Sequence, residues 1–285
     1  MLTRNSSTAF ASRKRTSSGL KRVKPLHLWC GLLIAAIGLL ILGYACPVRS
    51  TGALRTGLSK RVLFLGNSYT YANDLPRVFA ELARAGGHEV ETGMLAQGGM
   101  TLADHDRASE TQRVLATSHW DFVVVQEQSL IPSVEPSRSV AMYPAARSLV
   151  QKIRTAGAAP VFFMAWARRG GWPERGFANY DSMQAEIERG YLDIARELHA
   201  PVAPVGVAWR QAVQRSPAVN LWQDDGSHPS LQGTYLAACV FYAVIFRISP
   251  FGVPYDAGLP HDTAQQLQKL AGDTVLTNAT EWNLP

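Results

Sequence analysis

The sequence predicts a three-layer α/β/α domain on a parallel sheet of about five strands. Three observations lead there. Short continuous apolar runs, such as Val62-Leu63-Phe64-Leu65, lack the alternation of a half-exposed strand, so they suit strands buried on both faces. Segments with apolar residues at helical spacing separate these runs. Four of the runs end in polar or glycine-rich corners, which falls on the edge where parallel sheets bind ligands.

Val62 to Leu65 is the first strand and stops at Gly66-Asn67-Ser68. Leu75 to Ala85 follows as an amphipathic helix ended by Gly86-Gly87. Val90 to Ala96 is a weaker strand before Gln97-Gly98-Gly99-Met100-Thr101. Asp121 to Val125 is β-branched and apolar after its first residue, and leads into Gln126-Glu127-Gln128-Ser129. Val140 to Ala156 reads as a helix with Gly157 just past its end. Pro160 to Ala165 is the fourth strand, before a loop holding Trp166, Arg168, Arg169 and Trp172. Tyr180 to His199 aligns Ile187, Tyr191, Ile194 and Leu198 on one helical face. Pro201 to Val207 reads as a fifth, shorter strand, Leu231 to Ile248 as a strongly apolar helix, and Thr263 to Leu276 as a final helix.

Of 285 residues, 47% are hydrophobic and 18% charged, a globular composition. The net charge of +6 is misleading, because seven of the 28 basic residues fall in the first 28 positions and no acidic residue does. The remainder carries 21 basic and 22 acidic residues, so no basic face argues for nucleic acid. Leu28 to Cys46 contains no charged residue and is long enough to cross a bilayer as a helix. Basic residues before it favour a cytoplasmic N-terminus and an extracytoplasmic body, periplasmic or extracellular. An uncleaved anchor, a cleaved signal and a lipid-attached Cys46 all fit this segment. The organisation expected is a disordered basic tail over 1–25, the anchor or signal over 26–46, a linker over 47–59 and the folded domain over 60–285. The three cysteines, Cys30, Cys46 and Cys239, form neither a disulfide framework nor a zinc spacing.

A serine hydroxyl is a weak nucleophile and needs a base, itself oriented by a third group. Among seven histidines, His228 alone follows a carboxylate across a tight turn, Asp225-Gly226-Ser227-His228, just before the apolar helix. That turn can set Asp225 against Nδ1 and leave Nε2 for a serine. The competing reading is a helix N-terminus capped by Ser227 or Ser230. Asp224 is the alternative orienter, at a less favourable spacing.

Gly-Asn-Ser68 after the first strand, Gly-x-Thr after the second and Asp-x-x-His before the last apolar helix together resemble the SGNH (GDSL-like) hydrolase superfamily. The resemblance spans Lys60 to Ile248. It implies a flavodoxin-like fold and hydrolysis of carboxylic esters without metal or cofactor. It further implies Ser68 as nucleophile, His228 as base and acid, Asp225 as orienter, and an oxyanion hole from the N–H groups of Ser68 and Gly99. Two departures stand out. Asn67 replaces the usual aspartate, and the usual Gly-x-Asn-Asp is absent from VVVQEQS, which leaves Gln128, or Gln126, as the third oxyanion donor.

Trp166 and Arg168 are the candidate substrate contacts, since sugars stack on tryptophan and hydrogen-bond to arginine. Tyr69 and Tyr71 are candidate pocket walls. The leading expectation is an esterase removing acyl groups from a small molecule or an extracytoplasmic glycan. An O-acyltransferase on a cell-envelope glycan and a non-catalytic glycan-binding module are the alternatives.

Overall fold

The computed structural model describes residues 59–215 and 219–284. The tail, the Leu28 to Cys46 segment and nearly all of the linker lie outside the described residues. Among the described residues no helix is long and apolar enough to cross a membrane.

Five strands, β1 (Lys60–Gly66), β2 (Val90–Ala96), β3 (Phe122–Val125), β4 (Ala159–Phe163) and β5 (Val202–Ala203), form one sheet in the order β2-β1-β3-β4-β5. Every neighbouring pair is parallel, with Val62 opposite Phe122 and Phe122 opposite Ala159. This is the flavodoxin strand order, in which the direction of winding across the sheet reverses between β1 and β3.

The helices are α1 (Ser68–Tyr71), α2 (Leu75–Ala85), α3 (Leu102–Arg107), α4 (Ser109–Thr117), α5 (Glu135–Ser137), α6 (Tyr143–Thr155), α7 (Tyr180–Glu197), α8 (Val205–Arg215), α9 (Leu231–Phe246) and α10 (His261–Thr277). Parallel crossovers are right-handed. The step from β1 to β2 runs opposite to the steps toward β3, β4 and β5, so α2 falls on one face and α3, α4, α6 and α7 on the other. Helix α9 packs on α2, α8 and α10, which completes the first face. Covered on several sides, α9 is apolar all round, and Cys239 is buried within it.

Two expectations change. The fifth strand shrinks to two residues, because Pro204 accepts from the N–H groups of Val207 and Ala208 and starts α8 there. The predicted Val140 to Ala156 helix starts at Tyr143, after a π-helical turn over Arg138–Met142. Trp282 O accepts from Val202 N at 3.0 Å and covers the β5 edge.

Candidate active site

At the switch point, β1 ends in Gly66. A Cβ there would sit 2.1 Å from Thr70 Oγ1 and 2.8 Å from Gln126 Oε1, so only glycine lets this corner close. Asn67 Oδ1 accepts from Tyr69 N at 3.2 Å and caps α1, whose first residue is Ser68. Its Nδ2 donates to Met100 O at 2.9 Å. An aspartate could make the cap but has no hydrogen for Met100, which gives a reason for Asn67 in this chain. His105 Nε2 also bonds Gly66 O, at 2.8 Å, from α3 below.

The histidine loop is a small closed structure. Gln223 N donates to His228 O at 2.8 Å, Ser230 N donates to Leu221 O at 2.9 Å, and Gly226 turns the chain at φ +64°. Asp225 Oδ1 accepts from the N–H groups of Ser227 and His228, each at 2.9 Å. Its Oδ2 is then left to face His228 Nδ1, and the two are hydrogen-bonded. His228 Nε2 lies 2.9 Å from Ser68 Oγ. With Nδ1–H donating to the carboxylate, Nε2 is the acceptor for the serine hydroxyl. Partial burial disfavours the Asp225 carboxylate, but the bonds from His228 and the two N–H groups outweigh it and hold its pKa at about 2. Ser230 is the cap of α9, accepting from Gly233 N at 3.2 Å. Thus capping and the serine–histidine contact use different residues of the same loop.

Aromatic rings support this loop. Tyr69 stacks on Trp166 at 4.5 Å, Trp166 stacks on Trp209 at 3.9 Å, and Tyr69 meets the His228 ring edge-on at 5.8 Å. Tyr69 Oη is 2.7 Å from Ser227 Oγ, and Trp166 Nε1 donates to Ser227 O at 3.0 Å. This corrects the expectation for Trp166. At 1% exposure, with both faces covered, it has no surface for a sugar and instead backs the histidine loop. Arg168 is half-buried, with its guanidinium over Trp172 at 5.8 Å and a buried Nε that has no hydrogen-bond partner among the described residues. Arg169 is occupied by Asn220 Oδ1 at 2.9 Å.

The Gln97 to Met100 turn is closed by Met100 N to Gln97 O at 3.2 Å, with Gly99 at φ +73°. Among the described residues, neither the Ser68 N–H nor the Gly99 N–H has a protein acceptor. Tyr71, exposed, places its hydroxyl 3.5 Å from where a Gly98 Cβ would be. Gln126 is no oxyanion donor. Its Oε1 accepts from Asn67 N at 3.1 Å and Thr70 Oγ1 at 2.9 Å, while its Nε2 donates to Glu127 O at 2.6 Å. Gln128 Oε1 accepts from Leu130 N at 2.8 Å, and its Nε2 makes only a 3.5 Å contact with Ser129 Oγ.

Two residues of the site carried no sequence signal. Asn73 Nδ2 donates to Pro229 O at 3.0 Å and Thr234 Oγ1 at 2.9 Å, tying the histidine loop to the serine corner. Glu127 is fully buried between the second and third corners.

No protein-family model and no curated protein matches the chain. Solved structures do. A protein from Slackia heliotrinireducens, described as an SGNH hydrolase, is 33% identical, with TM-score 0.56, over 66% of this chain and 100% of that one. A DUF4886 family protein from Bacteroides uniformis is 20% identical, with TM-score 0.67, over 77% and 95%. An acetyl-xylooligosaccharide esterase variant from Geobacillus is 17% identical, with TM-score 0.51, over 66% and 94%, a likeness of fold.

Proposed function

We infer that this chain, which belongs to the SGNH hydrolase superfamily, is a serine ester hydrolase. From that premise we propose that Ser68, His228 and Asp225 are its catalytic residues, and that it removes an acyl group from an extracytoplasmic glycan. The observation that carries the catalytic assignment is the continuous chain from Ser68 Oγ through His228 to Asp225.

Ser68 Oγ attacks the acyl carbonyl as His228 Nε2 takes its proton. Asp225 stays ionised, fixes the tautomer and stabilises the imidazolium. The carbonyl oxygen becomes an oxyanion held by the Ser68 and Gly99 N–H groups, with Gln128 Nε2 as third donor. The tetrahedral intermediate collapses, the C–O bond to the alcohol breaks, and His228 protonates that alcohol. Water then attacks the acyl-serine, giving its proton to His228, and the acid leaves as Ser68 regains its proton.

The substrate class rests on the loop after β4. Trp172 and Arg168 lie on it, and the Arg168 Nε has no hydrogen-bond partner among the described residues, so its guanidinium is suited to an oxygen-rich acceptor. The acetyl-xylooligosaccharide esterase among the fold neighbours supports the same class. The extracytoplasmic location rests on the basic residues and apolar segment that precede the domain. Turnover of p-nitrophenyl acetate and acetate release from acetylated xylo-oligosaccharides test the assignment. Wild type should cleave both, and Ser68→Ala neither above background. Cleavage of the small ester alone would remove the glycan and keep the esterase.

A further inference from the structure

The third corner, Gln126-Glu127-Gln128, contains a carboxylate that the ester chemistry does not use. Glu127 has no exposed surface. Its Oε1 accepts from Leu102 N at 3.1 Å and from Gln128 N at 2.6 Å. Leu102 is the first residue of α3, just past the turn that carries Gly99. Gln128 carries the side chain assigned as third oxyanion donor. The backbone N–H of Glu127 is fixed from the far side, donating to Tyr191 Oη on α7 at 3.1 Å.

Burying a carboxylate costs free energy unless it is paired and hydrogen-bonded. Glu127 has no ion pair among the described residues, and its Oε2 is buried without a partner. Burial, with a smaller contribution from the like charge of Asp104 on α3, pushes the Glu127 pKa up to about 7. An apolar residue would avoid this cost but would leave two buried N–H groups without acceptors. The adjacent residue does the matching work on the other side, since Gln126 Oε1 holds Asn67 N and Thr70 Oγ1.

We propose that Glu127 is a positioning residue, whose one carboxylate oxygen locks the Gly99 turn and Gln128 at the spacing the oxyanion hole requires. It touches no reacting atom and acts through Leu102 and Gln128. In this chain Gln126 fixes the first corner and Glu127 the second, both from the end of β3. The Gln-Glu-Gln run therefore replaces the family's Gly-x-Asn-Asp as a framework and not only as a donor. The inference rests on the acyl-serine reading above.

The test compares Glu127→Gln, which keeps an acceptor oxygen, with Glu127→Leu, which has similar bulk and none. Both are assayed on the full-length protein with p-nitrophenyl acetate, rates being normalised to sites titrated by a fluorophosphonate. A trifluoromethyl ketone, which forms an oxyanion on the serine, reports the hole directly. Glu127→Leu should lose kcat on the order of 10²-fold, the usual cost of one oxyanion donor. Its KM should change little and its ketone Ki should rise in parallel. Glu127→Gln should stay within a few-fold of wild type on both readouts. Should the leucine variant not fold, Glu127→Asp, whose carboxylate is drawn back by one methylene, should show the same loss in kcat and Ki. Wild-type kcat and Ki in the leucine or aspartate variant overturn the inference, and so does an equal loss in Glu127→Gln and Glu127→Leu. Undiminished turnover in Ser68→Ala overturns the acyl-serine reading instead, so the two failures are distinguishable.

Discussion

Replacing Glu127 by glutamine should change how stability depends on pH. In the folded protein burial raises the Glu127 pKa from 4.5 to about 7. The sign follows from linkage. Below pH 4.5 the carboxyl is neutral in both folded and unfolded chains, and burial costs no ionisation energy. As pH rises toward 7 the unfolded chain loses the proton while the folded one keeps it, and stability falls. Above pH 7 both are ionised and the loss is complete. At 1.36 kcal/mol per pH unit, the difference comes to about 3 kcal/mol between pH 4.5 and pH 8. Glutamine cannot ionise and shows none of it. Any fixed cost of placing an amide at the unpartnered Oε2 position is independent of pH and cancels in the comparison. Urea denaturation of wild type and Glu127→Gln at the two pH values measures this difference. The variant should gain about 3 kcal/mol relative to wild type on moving to pH 8, or roughly 6–12 °C in melting temperature for a domain of this size. Unfolding free energies that keep a constant offset across this range would be the contrary result, because they would mean that Glu127 titrates alike in the folded and unfolded chains.

Other expected outcomes follow from single contacts. Asp225→Asn should leave the loop folded but lose the preferred His228 tautomer, and kcat should fall on the order of 10⁴-fold in steady-state assays. Asn67→Asp keeps the α1 cap and loses the bond to Met100 O, costing about 1 kcal/mol in chemical denaturation. Trp166→Ala should destabilise by roughly 3–5 kcal/mol through the cavity left between Tyr69 and Trp209. Arg168→Ala should instead raise KM for an acetylated oligosaccharide with little loss of melting temperature.

The sheet was legible because strands covered on both faces must be continuously apolar, and β1, β2 and β4 are observed within a few residues of their predicted ends. The switch-point corner was legible because Gly66, Ser68 and the Asp225 to His228 turn are short-range patterns. Other features were hidden for physical reasons. Val205-Gly206-Val207 looks like the end of a strand, but Gly206 lies where a Cβ would meet Ala165 O at 2.2 Å, and the segment is the first turn of α8. Helices α3 and α4 are short and polar, and gave no apolar stripe to read. The signal for α3 was the capping box from Thr101 to Asp104. Trp166 shows the limit of residue type as a guide. A tryptophan on an active-edge loop suggests a sugar platform, and only its neighbours reveal that Tyr69 and Trp209 already occupy both faces. For Glu127 no local pattern indicates that its carboxylate turns inward, because its partners are backbone N–H groups on two other segments.

On the proposed mechanism Ser68 is a nucleophile activated by His228, and mass spectrometry after incubation with a fluorophosphonate probe reads this out at the residue itself. A single covalent adduct is expected on the peptide containing Ser68, absent in Ser68→Ala and formed far more slowly in His228→Ala. An adduct on another serine, or equal labelling of wild type and Ser68→Ala, would contradict it.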